Sequence, residues 1–428
     1  MRKKILFVLA FLAAVTSAQA ALVSPDSDRG TFGIDMHFLL KPSEFQTFAQ
    51  TPGATELRGI INMGARLLEW VDVLQKELPV DEREQIWRRI DRVGHEPTPD
   101  HPMYYNERII LENFNNVIAT TPEAILEVLR ARTALPTSPP TGFDLKTLVD
   151  HLRPIHASYS RTSRWLVLYE WRYSLKKNNR DFRGVLKVIE AEARLTEMSG
   201  KWAQLSEAER TDFVNTLSLA CPMTSGTSES SCRSKGAPLI TAPDKGGQAQ
   251  TWLAEITAKS KRELGSRFGV RSTHYGVGTS TNGGYHEIQM PTYGIEADVF
   301  SWIQERVDEA WAFKNSVGVK LFSVATPSRG AVKVRWEKGA LPNVNGIAGD
   351  VITMDSNTPK WLDHTQTVMR HEMGHVLGFT DCYTEFWDES LGAFTYYSLD
   401  PSDAMCALSG EYLERHRDAL LKGYFGTH

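Results

Sequence analysis

An α+β chain is predicted, with an all-helical N-terminal domain followed by a mixed domain of short strands and helices, and three observations predict it. Apolar residues recur at helical spacing from about Thr31 to Ala220. A Ser- and Gly-rich stretch, Thr224 to Pro238, then breaks the pattern. Beyond it, short runs rich in β-branched and aromatic residues are interleaved with amphipathic helical segments. The boundaries that follow are 1–20, 21–220, a linker and disulfide loop at 221–237, and 238–428.

Residues 1–20 read as an export signal: "MRKK" is the basic start, "ILFVLAFLAAV" the apolar run, and "AQA" the small-residue cleavage site. The helical domain opens on "ELRGIINMGARLLEWVDVL", where Leu57, Ile60, Ile61, Gly64, Leu67, Leu68, Val71 and Leu74 form one buried stripe. Further helices are predicted at Asn106 to Ala119, Pro122 to Arg132, Arg161 to Lys177, Phe182 to Met198 and Glu207 to Leu219. "SEAE" at Ser206 has capping-box spacing for the last. "LPTSPPTG" reads as a loop. Trp165, Tyr169, Trp171 and Tyr173 crowd one helix and read as core.

In the second half "YHEIQMP", "VKLFSVA", "AVKVRW" and "DVITMD" are predicted strands, with "IEADVFSWIQERVDEAWAF" a helix before the second of them. The helix that follows carries "VMRHEMGHVLGFTDCY". His371 and His375 lie one turn apart, so both imidazoles can converge on one ion. Glu372 beside them need not be a ligand; a carboxylate there can take a proton from water activated by the metal. Zinc needs a third ligand and an open fourth position, which the helix alone cannot supply. Gly378 permits the chain to reverse, and Asp381 is then placed to reach back.

"HEMGHVLGFTD" resembles the signature of the metzincin zinc metallopeptidases, in the variant with aspartate as third ligand found in snapalysin-like secreted proteases. The resemblance covers about 150 residues, from Tyr285 to the C-terminus. It implies a twisted mixed sheet packed on two long helices, a C-terminal helix in "EYLERHRDALLKGYF", and one catalytic Zn²⁺ held by His371, His375 and Asp381, with Glu372 as general base. It also implies a methionine turn beneath the metal, for which Met405 in "PSDAMCALSG" is the candidate, and an edge strand at "NGIAGDV" that pairs with substrate. Cys382 follows the third ligand and Cys406 follows that methionine, so a Cys382–Cys406 disulfide would tie the ligand loop to the turn. The position two residues after Met405 is Ala407, where some relatives carry a tyrosine, so the oxyanion stabiliser is not identified by the motif.

All four cysteines fall after residue 220, an even number in an exported chain, which favours disulfides. Three pairings are possible; the local one, Cys221–Cys232, closes a short loop and leaves the other pair by the metal. A net charge of −4 over 428 residues offers no basic stripe for nucleic acid, and no stretch after the signal is long enough to span a membrane. The expectation is a secreted or periplasmic endopeptidase acting on protein or peptide. The alternatives are a metal-containing binding protein working through its helical domain, and a metal-dependent peptidoglycan amidase. The helical domain is read as a covering, targeting or propeptide-like unit. From the linker's composition, a fragment starting near Gly236 is expected to fold and hold zinc by itself.

Overall fold

In the computed structural model the chain is described from residue 39 to 426, apart from 44, 49–50, 52, 92–96, 178–180, 338–339, 341, 357–359, 361–362 and 409. The export signal at 1–20 lies outside the described residues.

The helical region follows its periodicity closely. Helix α1, Ala54–Gln75, buries Leu57, Ile60, Ile61, Leu67 and Val71 on one face. After α2, Val80–Asp91, comes a short strand β1, Met103–Tyr105, then α3, Glu107–Thr120, and α4, Glu123–Arg130. Helix α5 is longer than its predicted core, Leu145–Lys177 with Pro154 inside. The single helix expected at Phe182 to Met198 is two, α6 Arg183–Glu190 and α7 Glu192–Gly200. Helix α8, Glu207–Leu219, begins with the predicted capping box of Ser206 and Glu209.

The segment read as a linker is helical. Helices α9, Cys221–Ser225, and α10, Glu229–Ile240, occupy it, followed by α11, Gly246–Gly265. Serines that composition marks as loop-forming serve here as caps: Ser228 Oγ accepts from the Ser231 N–H at 3.1 Å. The Cys221–Cys232 disulfide staples the two helices, and Gly236 sits so close to Val214 and Trp252 that no side chain fits there.

The second half is a mixed sheet on two helices. Strands β2 Gly278–Asn282, β3 Tyr285–Thr292, β4 Ala312–Phe313 and β5 Val317–Ser323 form one sheet in the order β2-β3-β5-β4. Strands β6 Lys333–Glu337, β7 Asn343–Val344 and β8 Val351–Asp355 form another in the order β6-β8-β7, and a parallel bridge from Thr292 to Val332 joins the two. Pairs β3–β5 and β6–β8 are parallel, whereas β7 is an antiparallel edge. Of Asn345 to Val351, expected as the edge strand, residues 345–350 instead form the turn after β7 and Val351 opens β8: Asn345 N–H donates to the Val351 carbonyl and Ala348 takes a φ of 58°. Helices α12, Ala297–Ala310, and α13, Asp363–Val376, pack on each other and on this sheet, with Ile303, Val307, Met369 and Met373 in the common core. The chain ends in α14, Glu414–Leu420, and a turn of wider helix, Leu421–Phe425.

One feature absent from the sequence reading joins the halves. Strands β9, Tyr383–Asp388, and β10, Ala393–Ser398, form a hairpin between Asp381 and Met405, and β1 of the helical region extends it into a three-stranded sheet, β1-β10-β9. Alternate side chains enter different cores. Tyr383, Phe394 and Tyr396 pack with Tyr105 and Trp165, while Phe386 and Tyr397 pack with Phe182, Val185 and Val214.

Candidate metal centre

Burial of Val368, Met369, Met373 and Val376 fixes the rotation of α13, and that rotation brings His371 and His375 to one side. Gly378, with φ of 96°, ends the helix as expected: the N–H groups of Gly378 and Phe379 donate to the carbonyls of His375 and Gly374, each at 3.0 Å. A Cβ at 378 would overlap the Ser272 carbonyl, so the reversal accepts only glycine. The returning chain places Asp381 Oδ1 3.3 Å from His371 Nε2 and 3.2 Å from His375 Nε2.

Backbone groups decide which ring nitrogen faces this point. His371 Nδ1 is 2.8 Å from the Ala404 carbonyl and His375 Nδ1 is 3.0 Å from the Phe379 carbonyl. A carbonyl only accepts, so each Nδ1 carries a proton, and Nε2 is the atom that can offer its lone pair to a cation once its own proton is displaced. The donor set of His371, His375 and Asp381 is buried, with its ligand atoms within 4.8 Å of one another. His375 Nε2 and both Asp381 oxygens complete no hydrogen bond, although they are close. Ligand atoms aimed at a common centre, not at each other, account for that. Bonds of 2.0–2.1 Å at tetrahedral angles separate two ligand atoms by about 3.3 Å, and the observed edges agree. The residues therefore fit a cation such as zinc.

Burial by itself lowers the pKa of His375, but the Asp381 charge outweighs it and holds the metal-free imidazole up to about 9. Burial raises the Asp381 carboxyl, yet the His375 charge and the contacts of both rings bring it below the ordinary range. A cation entering the trio replaces a proton, so its binding is coupled to proton release. Glu372 is fully buried beside the trio and outside the donor set.

Met405, the candidate turn methionine, packs against α13. Its sulfur rests against Gly374, where a Cβ would overlap it. The Cys382–Cys406 disulfide ties the ligand loop to this turn, and Cys382 N–H donates to the Met405 carbonyl at 3.1 Å. Gly374→Ala has opposed expectations. Helix propensity alone would favour alanine by about 1 kcal/mol, whereas displacing the sulfur costs about 1–3 kcal/mol. The steric term should win, with the melting temperature lowered by a few degrees and cation affinity weakened. Thermal unfolding with and without chelator checks this, and an unchanged or raised melting temperature would mean Met405 does not bear on the helix.

Sequence reasoning missed the support beneath the turn. Asp403 Oδ1 accepts from the Met405 N–H at 2.6 Å and from His416 Nε2 at 3.1 Å, and Oδ2 accepts from Arg415 Nε at 2.7 Å. His416 Nδ1 accepts from the Leu413 N–H at 2.8 Å, which leaves Nε2 as the donor. Asp403 thus ties α14 to the turn whose Ala404 carbonyl orients His371. An aspartate bonding a backbone N–H two residues on is a readable turn signal in "SDAM". Tyr383, Tyr396 and Tyr397 lie in the hairpin, and Tyr397 is engaged there: its OH donates to Asp181 at 2.9 Å and accepts from the Phe182 N–H at 2.7 Å. Comparison with protein-family models, with curated proteins and with solved structures finds no match to this chain.

Proposed function

We propose that the chain is an exported zinc-dependent endopeptidase of metzincin type. The observation that carries this is the convergence of His371, His375 and Asp381 on one point with Glu372 buried next to it but not among the ligands. A structural site has no use for that fourth group, because three ligands and an uncoordinated carboxylate are what hydrolysis requires. Further support comes from the mixed sheet on two helices, the edge strand β7 packed by α13, and Met405 under the helix. Two disulfides suit an oxidising compartment, and among the described residues no helix is long and apolar enough to cross a membrane.

When bound, zinc polarises the scissile carbonyl and makes water acidic enough to be deprotonated near neutral pH. The protein's own contribution is positional. The Ala404 and Phe379 carbonyls keep each imidazole in the tautomer that presents Nε2. Glu372 accepts the proton from attacking water and passes it to the departing amine. Its burial keeps bulk water from competing for that proton.

One zinc per chain is expected on elemental analysis, with His371→Ala and His375→Ala each reducing affinity by at least about 100-fold while the fold is retained. Casein and purified cell wall, offered to the zinc-loaded protein, separate the readings. Casein cleavage supports the peptidase, cell-wall cleavage alone supports the amidase, and zinc retention by both folded variants would place the metal elsewhere.

A further inference from the structure

Beside the metal centre is a cavity of about 220 Å³, lined by Thr367, Arg370, His371, Ala404, Leu408 and Tyr412 among others, with Glu411 at its exposed rim. It shares His371 with the donor set and Ala404 with the carbonyl that orients it. On the peptidase reading, a residue adjoining the scissile bond can reach this opening.

The chemistry of the cavity is set by Arg370. Its Nη2 donates to Thr367 Oγ1 at 2.9 Å, but Nε is buried and makes no hydrogen bond. Among the described residues no carboxylate stands within ion-pair distance of it, although the other arginines near the hairpin and turn, Arg164, Arg183 and Arg415, all have one. A guanidinium stays charged under all ordinary conditions and has five donors in a planar fork, of which the Thr367 bond uses one. A pin along its own helix would be satisfied by that bond alone; it does not account for a guanidinium on the cavity wall with no carboxylate beside it among the described residues. Glu411 shares the lining, yet its exposed position lets water screen it.

We infer that Arg370 receives a carboxylate carried by the residue adjoining the scissile bond, either an Asp or Glu side chain or a free chain terminus. The inference rests on the peptidase reading above. Forked, charge-assisted pairing distinguishes carboxylate from amide strongly, because the amide cannot supply the second acceptor oxygen or the charge.

Zinc-loaded full-length protein should be given two peptide libraries, one with amidated and one with free C-termini, together with two hydroxamates that differ only in a pendant carboxylate or carboxamide. Cleavage next to Asp or Glu should exceed cleavage next to Asn or Gln by about tenfold or more, and Arg370→Gln should bring that ratio close to one, with Arg370→Lys restoring part of it. A preference confined to the free-acid library would assign the carboxylate to the chain terminus. The inference is overturned by a wild-type ratio near one, or by a ratio that survives Arg370→Gln. If no peptide is cut, the peptidase reading fails by itself, and the hydroxamates decide about Arg370: equal binding of the pair refutes it, and carboxylate-selective binding lost in Arg370→Gln upholds it.

Discussion

Glu372→Gln is expected to retain its zinc and lose peptide hydrolysis by about 10²–10⁴-fold, the range that general-base catalysis supplies. Glutamine has the shape of glutamate, so burial at this position is undisturbed, and the ligand set of His371, His375 and Asp381 does not include it. What changes is the capacity to accept a proton. Zinc content and turnover should therefore part company, with stoichiometry unchanged and the rate collapsed. Equal turnover would remove Glu372 from the chemistry. Loss of zinc together with activity would make it a ligand, and the site a different one from that described.

The buried cluster of His371, His375 and Asp381 was legible because its chemistry is written in short spacings. A spacing of four from His371 to His375 is one helical turn, and a glycine three residues past the second, Gly378, permits reversal. The pairing of Cys382 with Cys406 followed from what each one adjoins. The β9–β10 hairpin was not legible, although "YTEFWD" and "AFTYYS" flank a short turn. A strand with one wet face alternates apolar and polar residues; these strands bury Tyr383 and Phe394 in one core and Phe386 and Tyr397 in another, so the alternation is lost. The linker was misread for the opposite reason. Serine-rich composition describes both a loop and a helix start, and only the burial of Cys232 and Gly236 distinguishes them. Arg370 escaped because nothing in a sequence shows whether a carboxylate stands beside an arginine in the fold.

A fragment beginning near Gly236 should fail to fold and should hold no zinc with the affinity of the full chain, the reverse of what the linker's composition suggests. The cut falls inside α10 and removes β1, so β10 loses its pairing of Met103 with Tyr396 and of Tyr105 with Phe394. It strips Tyr105 and Trp165 from one face of the hairpin and Phe182, Val185 and Val214 from the other. It also removes Arg164, whose Nε and Nη2 bond the two oxygens of Glu385 at 2.7 and 2.8 Å, with 6% and 10% of the side chains exposed. Uncovering each large apolar side chain of the hairpin costs about 1.5–3 kcal/mol. Summed over the hairpin's buried aromatic side chains, that is comparable with the total stability of about 5–15 kcal/mol that a domain has to lose. The hairpin leaves the site at Asp381 and returns at Met405, so its collapse is felt at the ligands. Circular dichroism and zinc analysis of the fragment test the claim, and a folded, zinc-loaded fragment would refute it. The full chain offers a graded version. Arg164→Met alone should destabilise by about 3–5 kcal/mol, whereas adding Glu385→Leu should recover part of that loss, because two apolar partners leave no charge uncompensated while the buried Tyr105 hydroxyl, which donates to Glu385, loses its acceptor. If the second substitution recovers nothing, the ion pair is not what fastens the helical region to the metal centre, and the pairing of β1 with β10 must carry the attachment instead.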